Sequence, residues 1–466
     1  MTPQAAWAPY EPGTDGPWDL PRAAHLLRRA GFAADWSTLQ QAIDDGPDKT
    51  IERLLRPPGD LSEFEATFDG YESAAATGGS TESIRAWWLR RMIETPYPLL
   101  EKMTLFWHHH FAISNDGVNN ARLMVRSIHT LRQGSLGSYR QLLGHVIDDP
   151  ALYLSLRSDR SRRSEPATNV ADQLLGRFGV GPGHYDEHDL NAAARALTGR
   201  FVLRNELRFF AHEFDDGQKT LLGQQGAWDA EDAVRIVAQH PATAENIVRK
   251  LYAWLVADDV GGGREPNQLA TKSDSTDRQI PTSQFLEPLV TRFHEQDDVG
   301  AIIEKILRSR HFFASAAYRR RIKTPVELAV GLARAMERSI PTMRLGQQLG
   351  ELGQDLYRPP TSAGFPVGPD WINQATLIAR WDLTANMLAE SGSYEGRLNP
   401  ATLAEKYQVD QPERVAQWLA DLLLDGELPD PVRQSWQQRV TSDSFTAASI
   451  RQLAIELTQT SEYQLA

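Results

Sequence analysis

The sequence predicts a mainly α-helical protein, a large multi-helix body with at most a small β hairpin. Apolar residues recur at helical spacing through most of the 466-residue chain, which gives each segment one apolar face. The alternation typical of a half-buried strand is convincing only over 200–210, where Arg204-Asn205-Glu206 is the expected turn. Hydrophobic residues make up 41% and charged residues 24% of the chain, a composition typical of globular rather than disordered proteins.

The first strong helical pattern spans 21–30, where Ala23, Leu26 and Leu27 share an apolar face and Gly31 follows as a stop. Because the same period continues along the chain, further helices are predicted in order. They are expected over 84–95, 97–112, 119–133, 138–147, 170–177, 187–198, 231–238, 242–256, 285–294, 299–308, 325–337, 344–353, 371–390, 412–424 and 446–460.

Stretches rich in Gly, Pro, Ser or charge predict loops over 57–83, 157–169 and 258–283. The last is longer than a structureless connection within a compact domain, so it is functional, disordered or a joint between domains. The predicted organisation is a helical N-terminal region with a His-rich motif, a loop or linker, and a helical C-terminal region. Their bounds are 1–257, 258–283 and 284–466, and one continuous domain is the alternative.

The charge balance and the absence of cysteine exclude several classes of partner and of chemical site. The formal net charge is −12, which argues against nucleic acid or an anionic membrane surface as a partner. The chain has no Cys, so thiolate metal sites and cysteine nucleophiles are excluded and any metal must be held by His or oxygen ligands.

The sequence also carries an expectation about location. No stretch approaches the roughly 20 apolar residues of a membrane span, and residues 1–7 lack the features of a secretory signal. We therefore expect a soluble cytoplasmic protein, with export in company with a signal-bearing partner as the alternative.

A run of three histidines, His108-His109-His110 between Trp107 and Phe111, is the most distinctive polar motif. With Glu101 one heptad upstream, one interpretation is a metal or acid–base site. On a helix, however, His108 and His110 lie about 200° apart, and Glu101 lies roughly 10 Å from His108 along the axis. The alternative, a pair of buried, hydrogen-bonded histidines at a helix end, is the favoured interpretation.

A second cluster places His184 and His188 four residues apart, a spacing that suits a metal on one helical face. The acids Asp186, Glu187 and Asp189 between and after them are equally typical of a helix N-cap with an acidic first turn. Capping explains these acids without a ligand and is the favoured interpretation.

Several phrases, in this order, resemble the bacterial family known as domain of unknown function 1800. They are HLLRRAGF at 25–32, EKMTLFWHHHFA at 101–112, ARALTG at 194–199, DDGQKTLLG at 215–223, HPATA at 240–244, KL at 250–251, KTPVE at 323–327, LGQDLYRPP at 352–360, GF at 364–365 and WIN at 371–373. The resemblance implies a mainly helical fold. It also implies a sulfatase-like companion protein that carries a twin-arginine export signal.

The family's two most distinctive polar phrases map unequally onto this chain. The His-rich phrase maps onto Glu101, Trp107, His108 and His110. The second phrase maps poorly onto 167–174: Asn169, Ala171 and Leu174 remain, but Asp172 and Gln173 stand where the family has Arg and Glu, and Phe214 and Phe365 are further departures. The chain has therefore either altered the family's chemistry or kept the fold without the activity.

Two functions are consistent with these residues. The first is an enzyme that acts on a polymer or its fragments, assisted by a divalent metal at His108 and His110 in one version of the hypothesis. Its expected catalytic residues are Glu101, His108, His110, Asn169, Asp215 and Lys219. The second is a non-catalytic helical scaffold or partner protein for the sulfatase-like companion. Whether the six residues meet in one pocket is the observation that separates the two.

Overall fold

The computed structural model describes residues 2–57, 59–258, 283–440 and 445–466. The helices of the first half are α1 (Pro3–Ala6), α2 (Leu20–Arg29), α3 (Trp36–Leu55), α4 (Ser62–Gly78), α5 (Thr81–Glu94), α6 (Pro98–Phe111), α7 (Asn115–Val118), α8 (Ala121–Gly134), α9 (Tyr139–Ile147), α10 (Pro150–Ser155), α11 (Thr168–Asp172) and α12 (Glu187–Ala196). The later helices are α13 (Ala230–Ala238), α14 (Pro241–Leu255), α15 (Ser283–Gln296), α16 (Val299–Leu307), α17 (Pro325–Ala335), α18 (Thr342–Glu351), α19 (Gln374–Leu388), α20 (Pro400–Lys406), α21 (Pro412–Leu424), α22 (Asp430–Arg439), α23 (Ala447–Thr458) and α24 (Ser461–Gln464). The mainly α prediction is confirmed.

The predicted hairpin is present as β1 (Arg200–Leu203) and β2 (Glu206–Phe209), paired antiparallel. Arg204 and Asn205 form its turn with φ of 53° and 66°, the left-handed pair that matches the twist of a two-residue hairpin. Glu206, placed in the turn by the sequence, instead begins β2. A second hairpin that the sequence did not predict pairs β3 (Lys219–Leu221) with β4 (Gln224–Gly226).

The predicted loop over 57–83 is wrong, because α4 occupies most of it. The tilted rings of Phe64 and Phe68, four residues apart, pack with 4.5 Å between their centroids, and the Phe68 carbonyl accepts a hydrogen bond from Trp87 Nε1 at 3.1 Å. This packing outweighs the roughly 1 kcal/mol that Gly70 costs a helix interior. The loop over 157–169 ends where α11 begins, and the loop over 258–283 lies, apart from its end residues, outside the described residues.

The capping interpretation of the second histidine cluster is confirmed. The Asp186 side chain accepts a hydrogen bond from the backbone N–H of Asp189 at 2.9 Å, and the Asp189 side chain accepts one from Asp186 N at 3.3 Å. These two bonds form a capping box that starts α12, so the acids satisfy backbone donors.

Helix α6 runs through the interior, and most of its side chains on every face are buried. A helix enclosed in this way belongs to the core. It carries the polar side chains of Glu101, Lys102, His108 and His110 into that core, where each needs a hydrogen-bonding partner. None of the helices in the described part of the chain has the length and apolar character needed to cross a membrane.

The division into N-terminal and C-terminal regions stays a prediction. Buried ion pairs connect residues from the two ranges: Arg28 of α2 binds Asp425 after α21, and Lys102 of α6 binds Glu327 of α17. Removing either partner of such a pair leaves a charge without compensation inside the protein. These contacts therefore tie the two ranges together.

Candidate functional site

Glu101 is the centre of a buried ion-pair network. Its carboxylate accepts hydrogen bonds from Trp88 Nε1 at 2.8 Å and from the Nε atoms of Arg91 and Arg132, each at 2.7 Å. Burial alone would raise the pKa of Glu101, but the two guanidiniums outweigh it and lower the pKa to about 2. A general acid or base works best with a pKa near the operating pH, so these contacts favour a structural role.

On the next position of α6, Lys102 binds Glu327, whose carboxylate also accepts hydrogen bonds from Arg321 at 2.6 and 2.7 Å. Glu327 completes the capping box of α17 through Thr324 N at 2.8 Å. Two of the phrases that carry the family resemblance, those of α6 and of 323–327, therefore meet in this buried network.

His108 is enclosed by aromatic side chains. Its Nε2 accepts a hydrogen bond from the backbone N–H of Tyr357 at 3.1 Å, and its ring stacks on Phe365 with 5.6 Å between centroids. Its Nδ1 is buried without a hydrogen-bond partner among the described residues. Burial lowers the pKa of His108 to about 3, so the ring is neutral at neutral pH.

His110 lies against a different set of residues. Its Nε2 is 3.3 Å from the Tyr139 hydroxyl, which donates to the Phe178 carbonyl, and its Nδ1 is 3.5 Å from Lys250 Nζ. Both histidines are thus buried and hydrogen-bonded, as the alternative interpretation of the motif expected. Among the described residues, no group of three or more His, Cys, Asp or Glu has the arrangement of a metal site. A metal at His108 and His110 stays a prediction.

Asp215 and Lys219 lie together at the start of β3. Arg195 donates to the Asp215 carboxylate from Nε at 2.7 Å and from Nη2 at 3.1 Å. This hydrogen bonding, aided by the Gly217 N–H, lowers the pKa of Asp215 to about 2 against the effect of burial. Lys219 Nζ donates to the carbonyls of Asp215 and Gly217 at 2.5 and 3.1 Å and so holds the turn.

Asn169 is separate from both groups. It is exposed, and its side-chain amide donates to the Leu156 carbonyl at 2.9 Å. Among the described residues, no hydrogen bond or ion pair connects Asn169 with the α6 residues or with the Asp215 turn, or connects those two groups with each other. The six predicted residues therefore fall into three places, and their catalytic roles stay predictions.

The sequence motif pointed to His108 and His110 but not to His109, and a further group of residues surrounds His109. We name this group, His109, Arg177, Lys250, Trp254 and Phe365, the His109 cluster. Arg177, in the π-helix Gln173–Phe178, donates to the carbonyls of His109 at 2.8 Å and His110 at 2.6 Å, which caps the C-terminus of α6. The His109 ring lies 6.4 Å from Trp254 and 6.0 Å from Phe365 between ring centroids.

Gly364 makes the close approach within this group feasible. Its φ is +87°, and a Cβ there would lie 2.6 Å from both Arg177 Nη2 and the His109 carbonyl oxygen. Only glycine fits such a position. The Gly-Phe phrase at 364–365, recognised as a family phrase, therefore has a physical reason in the capping of α6.

A cavity of about 1090 Å³ lies between α9, the β1–β2 hairpin and α13, beside the Asp215 turn. Its charged lining mixes both signs: Arg140 and Asp148 lie in and just after α9, Arg200 and Arg208 lie in the hairpin, and Asp229, Glu231, Asp232 and Arg235 lie just before and in α13. Phe209 also lines it and is 60% exposed. The cavity thus combines both signs of charge with an open aromatic ring.

A family model described as "Protein of unknown function (DUF1800)" matches residues 25–465, nearly the whole chain. The chain belongs to this family, as the phrases in the sequence indicated. No curated protein and no solved structure matches the chain.

Proposed function

We propose that this member of the DUF1800 family is a non-catalytic binding protein that holds an extended segment of a protein partner in the cavity beside the β1–β2 hairpin. The observation that carries the proposal is the cavity itself, with side chains of both charges in its lining and Phe209 open to solvent. The sulfatase-like companion that the family resemblance implies is the first partner to test.

The hairpin supports a peptide as the occupant. The far edge of β1 is already covered, since Val202 N donates to the Asp159 carbonyl at 2.9 Å and Ser161 N donates to the Arg200 carbonyl at 3.2 Å. In the described part of the chain, β2 pairs only with β1, so its outer edge is open. An open strand edge offers backbone donors and acceptors to which an extended peptide adds.

The charges of the cavity support the same occupant. Arg200 is paired with Asp148 at 2.6 Å and Arg235 with Asp232 at 2.9 Å. Arg140 and Glu231 have no ion-pair partner among the described residues and are exposed. A peptide carries both signs of charge, whereas nucleic acid and anionic lipid surfaces present mainly one. Charges on the peptide that complement those of the lining would set its register.

The predicted catalytic carboxylates give less support to an enzyme. Glu101 and Asp215 each have a pKa of about 2 and are each bound by guanidinium groups. An ionised carboxylate already held in an ion pair is poorly suited to transfer protons near neutral pH. The contacts of both residues instead fix the positions of helices and turns.

The test is a calorimetric titration with the purified sulfatase-like companion. Phe209→Ser should weaken binding at least about tenfold, the scale of a buried aromatic anchor. Val367→Ser is the matched control, because Val367 is 61% exposed and Phe209 60%, but Val367 does not line the cavity. Absence of binding, or equal loss in both variants, would overturn the proposal. So would turnover of a substrate that depends on Glu101.

A further inference from the structure

The basic residues of the interior are unevenly provided with carboxylates. Lys102 and Arg321 share Glu327, Arg28 binds Asp425, and Arg91 and Arg132 share Glu101. In the described residues, neither Lys250 nor Arg177 has a carboxylate within ion-pair distance. Burying a charge without a partner is costly, so this pair of cations calls for an explanation.

Several other basic residues that form no ion pair among the described residues donate to backbone carbonyls; they include Arg29, Lys219, Lys323, Arg334 and Arg380. Arg334 donates to the carbonyls of Met92, Ile93 and Thr95 at 3.2, 2.9 and 3.0 Å, which caps the end of α5. Lys323 is 4% exposed and is closed off beneath the Tyr463 ring. His109, Arg177 and Lys250 are half-buried, as Arg334 is, whereas the other four residues are buried.

We propose that the His109 cluster is a binding site for an oxyanion, the common chemistry of sulfate, phosphate and carboxylate groups. The proposal is independent of the proposed function, because no residue of the cluster lines the cavity beside the hairpin. N–H donors from three elements gather here: His109 lies in the last turn of α6, Arg177 lies in the π-helix and Lys250 lies on α14.

Each of these side chains has donor capacity left over. Arg177 uses Nε and Nη2 on backbone carbonyls, and no hydrogen bond within the described ranges reaches its Nη1. Lys250 Nζ donates to the Arg177 carbonyl at 2.7 Å and approaches His110 Nδ1 at 3.5 Å, which leaves at least one N–H of an ammonium group. No hydrogen bond within those ranges reaches the His109 ring.

Trp254 adds a fourth donor beside them. It is 8% exposed, and its indole N–H is buried without a partner among the described residues. Arg321 lies over the same indole, with its Cζ 4.7 Å from the ring centroid. A bound oxyanion would accept a hydrogen bond from this buried N–H, which no protein acceptor satisfies.

The electrostatics of the cluster agree with this geometry. Burial, and then Arg177, His108, Lys250 and Arg321, lower the pKa of His109 to about 3. Burial and Arg177 likewise hold the pKa of Lys250 well below its ordinary value, and burial lowers that of Arg177 to about 10. No carboxylate contributes to any of these shifts. A bound anion would favour the charged forms and so be held by them.

The choice of an anion rather than a metal follows from the groups present. The cluster's side chains with a spare polar atom carry N–H groups, on His109, Arg177, Lys250 and Trp254, and among the described residues no carboxylate forms an ion pair with any of them. Guanidinium and ammonium groups together are typical of sites for phosphate-like groups. Arg177 is also a cap of α6, so its position is fixed before a ligand arrives.

The experiment titrates the full chain with sodium sulfate, sodium phosphate and sodium acetate at constant ionic strength, with chloride as the reference salt. If the site takes tetrahedral oxyanions, sulfate or phosphate should bind saturably. If it takes carboxylates, only acetate should bind saturably. Lys250→Met should lower the affinity at least about tenfold. Lys305→Met is the matched control, since Lys305 of α16 is also half-buried but lies outside the cluster.

A second measurement uses the unsubstituted protein, in case Lys250→Met does not fold. Brief acylation with an N-hydroxysuccinimide ester, followed by peptide mass spectrometry, reports the accessibility of each lysine. The bound oxyanion should protect Lys250 but not Lys305. Absence of saturable binding by all three anions, equal affinities of the Lys250→Met and unsubstituted proteins, or unprotected Lys250 would overturn the proposal.

Discussion

Lys102 of α6 and Glu327 in the first turn of α17 form an ion pair whose side chains are 1% and 3% exposed. Arg321 donates two further hydrogen bonds to the same carboxylate. One carboxylate therefore compensates two buried cations and starts α17 through the capping box with Thr324. The interior of this protein is organised around such shared carboxylates.

Glu327→Gln should accordingly destabilise the protein by about 3–5 kcal/mol, because it leaves Lys102 and Arg321 buried without a counter-charge. Denaturant unfolding followed by circular dichroism measures the change. Glu52→Gln is the control, since Glu52 and its partner Arg56 are 51% and 64% exposed and such pairs contribute little. Similar losses in both variants would contradict the importance of burial.

Glu101 predicts an acid-dependent loss of stability. Its pKa falls from 4.5 to about 2 in the folded protein, so the folded state binds this proton more weakly than the unfolded state does. The stabilisation is present above pH 4.5 and is lost as the pH falls toward 2, by about 3 kcal/mol in all.

Unfolding free energies measured from pH 6 down to 2 test this expectation. Glu101→Gln should be less stable at pH 6 and should lose less stability on acidification than the unsubstituted protein. Glu327 and Asp215, whose pKa values are also lowered, account for the pH dependence of the unfolding free energy that remains in this variant. An unchanged slope in Glu101→Gln would contradict the ion-pair network as the cause.

The helices were largely predictable, because burial of one helix face leaves an apolar period that is visible along the chain. Capping was predictable for the same local reason, as Asp186 and α12 illustrate. Helix α4 was missed because its Gly and Ser residues weigh against a helix locally, while its stability comes from tertiary contacts such as that of Phe68 with Trp87.

The site was less predictable. The spacing of His108 and His110 correctly indicated that the two rings lie on different faces of α6, but it could not show which residues they contact. Arg177 and Lys250 meet His109 across 68 and more positions of sequence, through a π-helix that no local pattern indicated. Lys250 and Phe365 stood out in the sequence only because each lies in one of the short phrases that resemble the family.

Gly364→Ala should be markedly destabilising, because the new methyl group would lie 2.6 Å from two atoms of the α6 cap. Gly183→Ala is a closely matched control: its φ is +86° against +87°, but nothing lies within 4 Å of its Cβ position. The control should lose only the roughly 1–2 kcal/mol of left-handed strain, and Gly364→Ala more. Equal losses in thermal unfolding would mean that the cap tolerates the methyl group.

Asp186→Ala should cost about 1 kcal/mol, the usual value of an N-cap, whereas His188→Ala should cost little. The difference separates capping from a ligand role for this cluster, since a metal site would depend on the histidine. Urea unfolding with and without added zinc measures both. Stabilisation by zinc that His188→Ala abolishes would contradict the capping interpretation.

Oxyanion binding to the His109 cluster should weaken as the pH rises. In the free protein the pKa of Lys250 is held well below its ordinary value by burial and by Arg177. A bound anion favours the ammonium form, so binding takes up a proton wherever the free side chain is neutral. The groups that face Lys250 are His109 and His110 from α6 and Arg177 from the π-helix, and none of them supplies a negative charge.

Calorimetric titration with sulfate from pH 6 to 9, in two buffers of different ionisation enthalpy, measures affinity and proton uptake together. Lys250→Met should abolish the uptake attributable to this residue, and His109→Gln should leave it. Affinity that does not change with pH would contradict a role for the Lys250 ammonium group.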